Sequence, residues 1–464
     1  MQWQQIFVAL YCALGTVSGF KHHVHDANFT PDEVLRVTRH NVTIGGLNRY
    51  TTLVNETSPG PEVRIIENRD NNLTMHWHGL SQSAYPFSDG IPLASQWPIP
   101  PGHYFDYELR TEVDTAGTYF YHSHIGFQAS TAGGPLIVED PGATSCDRNL
   151  ERVFFLSEYW QETDQEVKEQ MQDTPIRWPG KARGFLINGK GIASSGVLQR
   201  ASKTLEVIEV EPAKAYRLRF IGVTSLFMAM IGVENHTQFD IIAADGHYMQ
   251  PYTRLPEHSN LSKSLMILPP TISGYLDYNL RPLRHTNPPT INEVTRRTED
   301  QADPVPHTSS SQPYLVALYN NQSRYLPDYD AAVANGGLDP KTGTYPAKLG
   351  EVIEIDGTPG GGGPGAWDPD VVEKRLNGIY PVLRDTTLLY RYQEGVKPNK
   401  KARWRVWRLR INDPGGMQTV WIYGDMKDIM HLKRPDVQGY LNYGGDIYGN
   451  ATYAPIVVYF YKLS

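Results

Sequence analysis

Two short His-X-His pairs constrain the fold of this chain more than any other feature. The first is His76-Trp77-His78 and the second is His122-Ser123-His124, and each lies in a strand-like stretch. Alternate side chains of a β-strand point to the same face, so both imidazoles of a pair share a face. Two adjacent strands would therefore bring four imidazoles together. Imidazole is a ligand for copper, zinc, iron and nickel, whereas a lone histidine is usually an ordinary core or surface residue. The two pairs together predict a metal site.

Length and composition indicate a multidomain β-protein. A chain of 464 residues is too long for one ordinary core and suggests two to three domains. Glycine, proline and tyrosine are plentiful (41, 34 and 28 residues) and long helical periodicity is hard to find, which favours an all-β, turn-rich fold. The formal charge of −7 gives no reason to expect a nucleic acid as partner. After the first residues, no segment approaches the roughly 20 apolar residues of a transmembrane helix, so no membrane association is expected.

The beginning of the chain predicts secretion. Residues 1–19 contain an apolar run that ends in small residues, which is typical of a signal peptide, although the run is not preceded by Lys or Arg. Eight Asn-X-Ser/Thr sequons follow, and their number supports a secreted glycoprotein. We exclude Asn72, because its place beside the first histidine pair indicates a buried strand. The remaining seven are the predicted glycosylation sites: Asn28, Asn41, Asn55, Asn235, Asn260, Asn321 and Asn450.

Turn signals and composition divide the chain into blocks. A first block at 30–142 ends at a turn signal, and a second block covers 150–282. The second block contains the strand-like runs Arg152–Leu156, Leu205–Val210 and Ala215–Ile221, and the hairpin-turn dipeptides Asn188-Gly189 and Asp245-Gly246. Residues 283–312 are rich in Pro, Thr, Ser and charge, which predicts a linker. The third block, 313–464, has fewer strands than a complete sandwich needs.

The histidine pairs and further motifs along the chain resemble the multicopper oxidases of the laccase and L-ascorbate oxidase type, in particular their fungal ascorbate-oxidase-like branch. The resemblance covers nearly the whole chain after the predicted signal peptide. The other matching segments are Asp89–Gly102, Gly184–Gly191, Tyr216–Gly222, Arg375–Thr387 and Gly416–Trp421.

The resemblance implies a fold, a cofactor and partners. The fold would be three cupredoxin-like, Greek-key β-sandwich domains, possible copies of one repeated unit. His76 would be a ligand of the type 2 copper, His78 and His122 of one type 3 copper, and His124 of the other. Asp89 resembles the acidic residue that assists proton delivery, but an aspartate before glycine is also an ordinary turn residue, and both interpretations stay open. The family oxidises phenols, ascorbate or metal ions one electron at a time and reduces O₂ to water with four coppers per chain. We expect a monomer.

The chain departs from this family pattern in its last third. The family needs a second His-X-His strand and a His-Cys-His strand there, yet no histidine after His124 stands in a His-X-His pair. The strand-like segment that ends at Ile355 is followed directly by a glycine-rich stretch. Gly415 is followed directly by Gly416, and in the family the residues that match Gly416 come after a segment that this chain lacks. Cys146 is the single cysteine left after the predicted signal peptide, and it has no histidines beside it. As printed, the chain is expected to hold one copper or fewer.

Two functions remain open at this level. The first is a secreted copper oxidase that acts on phenolic or other small reductants, with pigment precursors as the substrates that the family habit favours. The second is a non-catalytic secreted glycoprotein that binds copper weakly or is purely structural. The missing thiolate favours the second for the chain as printed. The sequence on both sides of the two gaps still resembles the family. This favours the copper oxidase as the product of the gene, and the two gaps would then be gene-model or splicing artefacts.

Overall fold

The computed structural model describes residues 35–138, 150–191, 205–254, 312–348 and 432–442, each range with short gaps, and short stretches at 277–279, 354–356, 389–391, 405–407, 421–424 and 448–450. Strands dominate these ranges. They are β1 (Arg36–Ile44), β2 (Leu47–Val54), β3 (Ile66–Glu67), β4 (Met75–His78), β5 (His103–Phe105), β6 (Gly117–Ser123), β7 (Gly133–Val138), β8 (Glu151–Tyr159), β9 (Gly184–Ile187), β10 (Arg217–Gly222), β11 (Phe239–Ala244), β12 (His247–Arg254), β13 (Asp277–Asn279), β14 (Tyr345–Ala347), β15 (Glu354–Asp356), β16 (Leu389–Arg391), β17 (Arg405–Trp407), β18 (Trp421–Tyr423) and β19 (Tyr448–Asn450). The all-β prediction is confirmed.

Helices are few and short. They are α1 (Asp164–Gln172), α2 (Tyr314–Tyr319), α3 (Tyr329–Ala334) and α4 (Arg434–Val437), with 3₁₀ turns at Pro86–Ser88, Gln128–Ser130, Ser323–Tyr325 and Gln438–Tyr440. In the part of the chain that the structure describes, none of these helices has the length and apolar character needed to span a bilayer.

Two sheets form the first β-unit. One has the strand order β19-β5-β3-β1-β2 and the other has the order β4-β6-β7. Apolar side chains of both sheets meet in one core, which includes Val37, Trp77, Phe105 and Tyr121. This arrangement is a β-sandwich, in which alternate residues of each strand face the interior.

Later parts of the chain also enter this core. Val316 and Tyr319 of α2, together with Val437 and Tyr440, pack against the apolar residues of the first unit. Strand β19 pairs with β5 at the edge of the larger sheet. Segments that lie more than 170 positions beyond the end of the first block therefore complete its core and its larger sheet. The division into three separate sandwich domains stays a prediction, because nearly all of the linker at 283–312 and much of the third block lie outside the described residues.

The second unit contains the hairpins that the sequence predicts. Strands β8, β9 and β10 form one sheet and β11 and β12 form another. Asn188 and Gly189 have φ angles of 51° and 77°, and Asp245 and Gly246 have 46° and 81°. Positive φ at both central residues is the requirement of a type I′ turn, which asparagine, aspartate and glycine meet at low cost. Both hairpin predictions are confirmed.

The predicted strand at Leu205–Val210 is wrong. The segment is described but forms no strand, and Leu205, Val207 and Val210 are 51%, 73% and 59% exposed. The segment is held by a side chain and not by backbone pairing with another strand: Arg152 Nε donates a hydrogen bond to the carbonyl of Glu209 at 2.9 Å. Alternation of apolar and acidic residues matched a strand pattern, but the pattern alone supplies no neighbouring strand to pair with.

Helix α1 begins with a capping box that the sequence analysis missed. The backbone N–H of Thr163 donates to Glu166 Oε2 at 2.7 Å, and the backbone N–H of Glu166 donates to Thr163 Oγ1 at 3.2 Å. These bonds satisfy two donors that a helix start leaves unpaired. The hydrogen bonds from Thr163 also lower the pKa of the Glu166 carboxyl below its usual value.

A buried ion pair joins the first unit to helix α1. Arg49 on β2 and Asp164 at the start of α1 form a salt bridge with side chains 0% and 3% exposed. Asp164 also accepts hydrogen bonds from Thr52 Oγ1 at 3.3 Å and Ser130 Oγ at 3.4 Å, and Arg49 donates to the carbonyl of Trp160 at 3.3 Å. A buried charge pair is costly unless its remaining donors and acceptors are satisfied. These bonds satisfy several of them, while Arg49 Nε is buried without a hydrogen-bond partner among the residues that the structure describes. We call these five residues the Arg49–Asp164 cluster.

Candidate metal centre

Strands β4 and β6 bring the two histidine pairs together. They are antiparallel neighbours, and their register places His76 opposite His122 and His78 opposite Phe120. The strand alternation is visible in the burial, because Trp77 between the first two histidines is 0% exposed and packs in the core. The predicted shared face is therefore confirmed for His76 and His78, and His122 meets them on it, whereas His124 lies in the loop directly after β6.

The imidazoles converge on one point. One ring nitrogen from each of His76, His78 and His122 lies within 4.8 Å of the others. The ring centroid of His76 lies 5.5 Å from that of His78 and 5.4 Å from that of His122. His124 stands at the edge of this group, with its centroid 5.7 Å from those of His76 and His122. Three of the four predicted ligands thus form one cluster, with His124 beside it, while the assignment of all four to particular coppers stays a prediction.

Two of the rings are oriented by backbone carbonyls. His76 Nδ1 lies 2.7 Å from the carbonyl oxygen of Asp89, and His122 Nδ1 lies 2.7 Å from that of Ser123. A carbonyl oxygen accepts only, so Nδ1 carries a proton in both rings and Nε2 is the nitrogen that can bind a metal. Hydrogen bonds of this kind set the tautomer and direction of histidines that bind metals. The two rings therefore present Nε2 as the ligand atom.

Asp89 lies beside the cluster, as the resemblance implies. Its carboxylate Oδ1 is 3.4 Å from His76 Nδ1, and its backbone carbonyl is the acceptor described above. It also ends the 3₁₀ turn Pro86–Ser88 and precedes Gly90, which has a φ of 84°. The turn interpretation is therefore correct for the backbone, while proton delivery by the carboxylate stays a prediction.

Gly90 has no room for a side chain. A Cβ at this position would lie 1.8 Å from the carbonyl oxygen of Met75 and 2.8 Å from the backbone nitrogen of His76. The loop that carries Asp89 is thus pressed against β4, which only glycine permits. This close approach is what places the Asp89 carbonyl on the first imidazole.

An aromatic ring forms a wall of the cluster. Phe120 stacks on His78 with centroids 4.6 Å apart and on His122 with centroids 5.2 Å apart. On the other face of β4, Tyr107 accepts a hydrogen bond from the backbone nitrogen of Met75 at 2.8 Å. Burial raises the pKa of the Tyr107 phenol well above its usual value, so the hydroxyl stays neutral. The sequence analysis missed both residues, and the alternation of β6, which puts Phe120 on the face of His122, was the signal that could have found Phe120.

The donor set suits copper. Imidazoles are ligands for copper and zinc, and one ring nitrogen from each of His76, His78 and His122 lies within 4.8 Å of the others. His76, His78, His122 and His124 would hold the metal. The glycine-rich stretch after Asp356, the junction Gly415–Gly416 and the thiol of Cys146 lie outside the described residues.

The predicted glycosylation sites are described in part. Asn41 on β1 and Asn321 are exposed, and Asn55 is partly buried in the turn after β2. The structure gives no account of Asn28, Asn235 and Asn260, nor of the side chain of Asn450. Modification of all seven stays a prediction.

Comparisons with known proteins identify the family. The multicopper oxidase family models match residues 36–143 and 151–254. A laccase-like multicopper oxidase of Thermothelomyces thermophilus is 34% identical, with 94% of each chain covered. The multicopper oxidase aurL2 of Gibberella zeae is 31% identical, with 95% of this chain and 96% of that protein covered. The crystal structure of the laccase from Botrytis aclada is 28% identical and covers 53% of this chain and 47% of its own, with a TM-score of 0.41.

The first of these alignments is longer than the chain itself. It extends over 608 positions, whereas this chain has 464 residues, so the relative contains segments without a counterpart here. The alignment nevertheless covers nearly all of both proteins. With this identity and coverage, the chain belongs to the multicopper oxidase family, and the predicted cupredoxin-like fold class is confirmed with it.

Proposed function

We propose that this protein is a secreted oxidase that removes single electrons from phenolic or other small reductants and passes them to O₂. Membership of the multicopper oxidase family makes it, at family level, a copper-dependent oxidoreductase with O₂ as acceptor. The observation that carries the proposal for this chain is the convergence of His76, His78 and His122 within 4.8 Å. Bound copper supplies one-electron redox chemistry at such a site. The backbone carbonyls of Asp89 and Ser123 orient two of the imidazole rings, and the close contact of the Asp89 loop with β4 leaves no room for a side chain at Gly90.

Secretion and the reductant are the finer parts of this proposal. The apolar run in residues 1–19 and the seven retained sequons support export and glycosylation. A mild net charge of −7 favours neither a polyanion nor a polycation as substrate. Pigment precursors are the phenols that we favour.

A second candidate has its own observation. As printed, the chain after residue 19 contains one cysteine, Cys146, which precedes the second family segment and lies apart from any histidine pair. Without a thiolate and the second histidine set, the chain would have no entry site for electrons. It would then be a non-catalytic glycoprotein that holds one copper or fewer. The longer alignment with the relative supports the view that segments are missing from the printed sequence.

One experiment separates the two candidates. The transcript is sequenced across Ile355–Asp356 and Gly415–Gly416, and both the printed and the transcribed chain are expressed in a secreting host. We expect inserted codons for a His-X-His and a His-Cys-His. The restored protein should then absorb near about 600 nm, as copper-thiolate sites do, and consume O₂ with a phenol. The printed chain should do neither.

The opposite results are equally informative. A transcript that reads straight through as printed would end the artefact explanation and leave the non-catalytic candidate. A printed chain that is blue and carries four coppers would contradict the assignment of the missing motifs. Retention of the protein inside the host cell would contradict secretion.

A further inference from the structure

We propose that Gln128 is a positioning residue for the metal centre and that it acts through Ser123, the residue between the two histidines of the second pair. Ser123 Oγ donates a hydrogen bond to Gln128 Oε1 at 2.8 Å. Both side chains are buried, with 1% and 6% exposure. This inference rests on the proposed copper site, because positioning has meaning only if the imidazoles bind metal.

The bond holds the strand at the point where it ends. Ser123 is the last residue of β6, and His124 lies in the loop beyond it. His124 is tied to the neighbouring segment by a backbone bond to the carbonyl of Thr74 of 3.3 Å, which is near the long limit for an N–H donor. A second anchor at Ser123 therefore restricts how far the peptide that joins the two histidines can turn.

The same peptide also orients a ligand. The carbonyl of Ser123 is the acceptor of His122 Nδ1 at 2.7 Å. Its direction depends on the conformation of Ser123, whose backbone N–H donates to Ala132 at 2.8 Å and whose hydroxyl is held by Gln128. In β6 the side chain of Ser123 points away from the face of His122, so Gln128 restrains the peptide from behind without competing for the metal.

Gln128 is itself fixed. It begins the 3₁₀ turn Gln128–Ser130, its backbone N–H donates to Ile125 at 3.1 Å, and its carbonyl accepts from Ala132 at 2.8 Å. The acceptor that meets Ser123 is therefore part of a rigid turn. Residues that orient a ligand from behind typically contribute 10- to 100-fold to metal affinity.

The test measures copper affinity in chains that have been shown to fold. Cu(II) is added to the metal-free full chain in competition with a chelator of known affinity, and the Tm of each metal-free chain is recorded. Gln128→Leu removes the acceptor while keeping most of the volume, and we expect roughly tenfold weaker Cu(II) binding. Gln165→Leu is the matched control, because Gln165 lies on the exposed side of α1 and bonds Glu169. It should leave the affinity unchanged.

Further variants keep the test decisive. Ser123→Ala deletes a single oxygen and should weaken binding similarly, even where Gln128→Leu does not fold. The double variant should be no weaker than Ser123→Ala alone, because Ser123→Ala already removes the bond to Gln128, together with the bond that Ser123 Oγ accepts from the Ile125 N–H at 3.3 Å. A lower Tm with wild-type copper affinity would show a purely structural role and overturn the inference alone. A wild-type chain that binds no Cu(II) would overturn both the inference and the proposed copper site.

Discussion

The Arg49–Asp164 cluster offers the sharpest test of how the two β-units are held together. Asp164→Ala leaves a guanidinium that is 0% exposed without its counter-charge, and two hydroxyl donors lose their acceptor. Breaking a buried pair at one side costs about 3–5 kcal/mol, against a total stability of roughly 5–15 kcal/mol for a domain. We therefore expect the variant to lose about a fifth or more of the free energy of unfolding.

The assay is urea denaturation followed by tryptophan fluorescence. Trp160, which is 0% exposed, belongs to the cluster and reports on its opening. The shift of the midpoint at constant m-value gives the change in free energy. Glu211→Ala is the matched control, because the pair of Glu211 with Lys214 is 68% and 47% exposed and contributes less than about 1 kcal/mol.

A double variant distinguishes the charge from the packing. Replacing both partners, as in Arg49→Met with Asp164→Leu, removes the unpaired charge and should restore stability to within about 2 kcal/mol of the original, since such swaps are often neutral. A single Asp164→Ala variant as mild as the exposed control would refute the reasoning. So would a double variant that is as unstable as the single one.

Three further outcomes are expected. His76→Ala should weaken Cu(II) binding in a chelator competition, whereas His40→Ala, at an exposed histidine on β1, should not; equal losses would contradict the site. Gly90→Ala should destabilise the chain and weaken Cu(II) binding, because its Cβ would overlap a β4 carbonyl and its φ is 84°; an unchanged melting curve would argue against the close contact. Thr163→Ala should cost about 1 kcal/mol in urea denaturation. The pKa of the Glu166 carboxyl is lowered in the folded state, so its contribution to the free energy of unfolding is present above its unfolded pKa and is lost as the pH falls through its folded pKa. Thr163→Ala should therefore reduce the loss of stability at acidic pH. A pH profile of stability identical to that of the wild type would count against the capping box.

Local rules explain what could be predicted from the sequence. The period of two in β-strands was enough to place His76 and His78 on one face, and the φ preferences of Asn188-Gly189 were enough to predict a hairpin. The capping box at Thr163 was readable by the same kind of rule and was overlooked. These features depend on neighbours within a few positions, so a single sequence carries their signal.

The features that were missed depend on distant partners. Arg49 and Asp164 lie 115 positions apart, and neither residue alone predicts a buried pair. The segment Leu205–Val210 matched a strand pattern, but a strand exists only where a partner strand is available. The packing of α2 against the first core likewise depends on tertiary contacts that no local pattern contains. For the site, the sequence predicted four histidine ligands. The close contact at Gly90 and the hydrogen bond of Gln128 with Ser123 became visible only with the fold.

The pairing of β19 with β5 has a consequence for biosynthesis. His103 and Asn450 are partners in this sheet, so the first β-unit gains its edge strand only when the end of the chain has been made. At a translation rate of about 5–20 residues per second, that edge waits roughly 20–70 seconds after β5 leaves the ribosome. During this time Phe105 and its neighbours lack the cover that Val437 and Tyr440 later provide. We therefore expect the first β-unit to need protection by chaperones until β19 has been made.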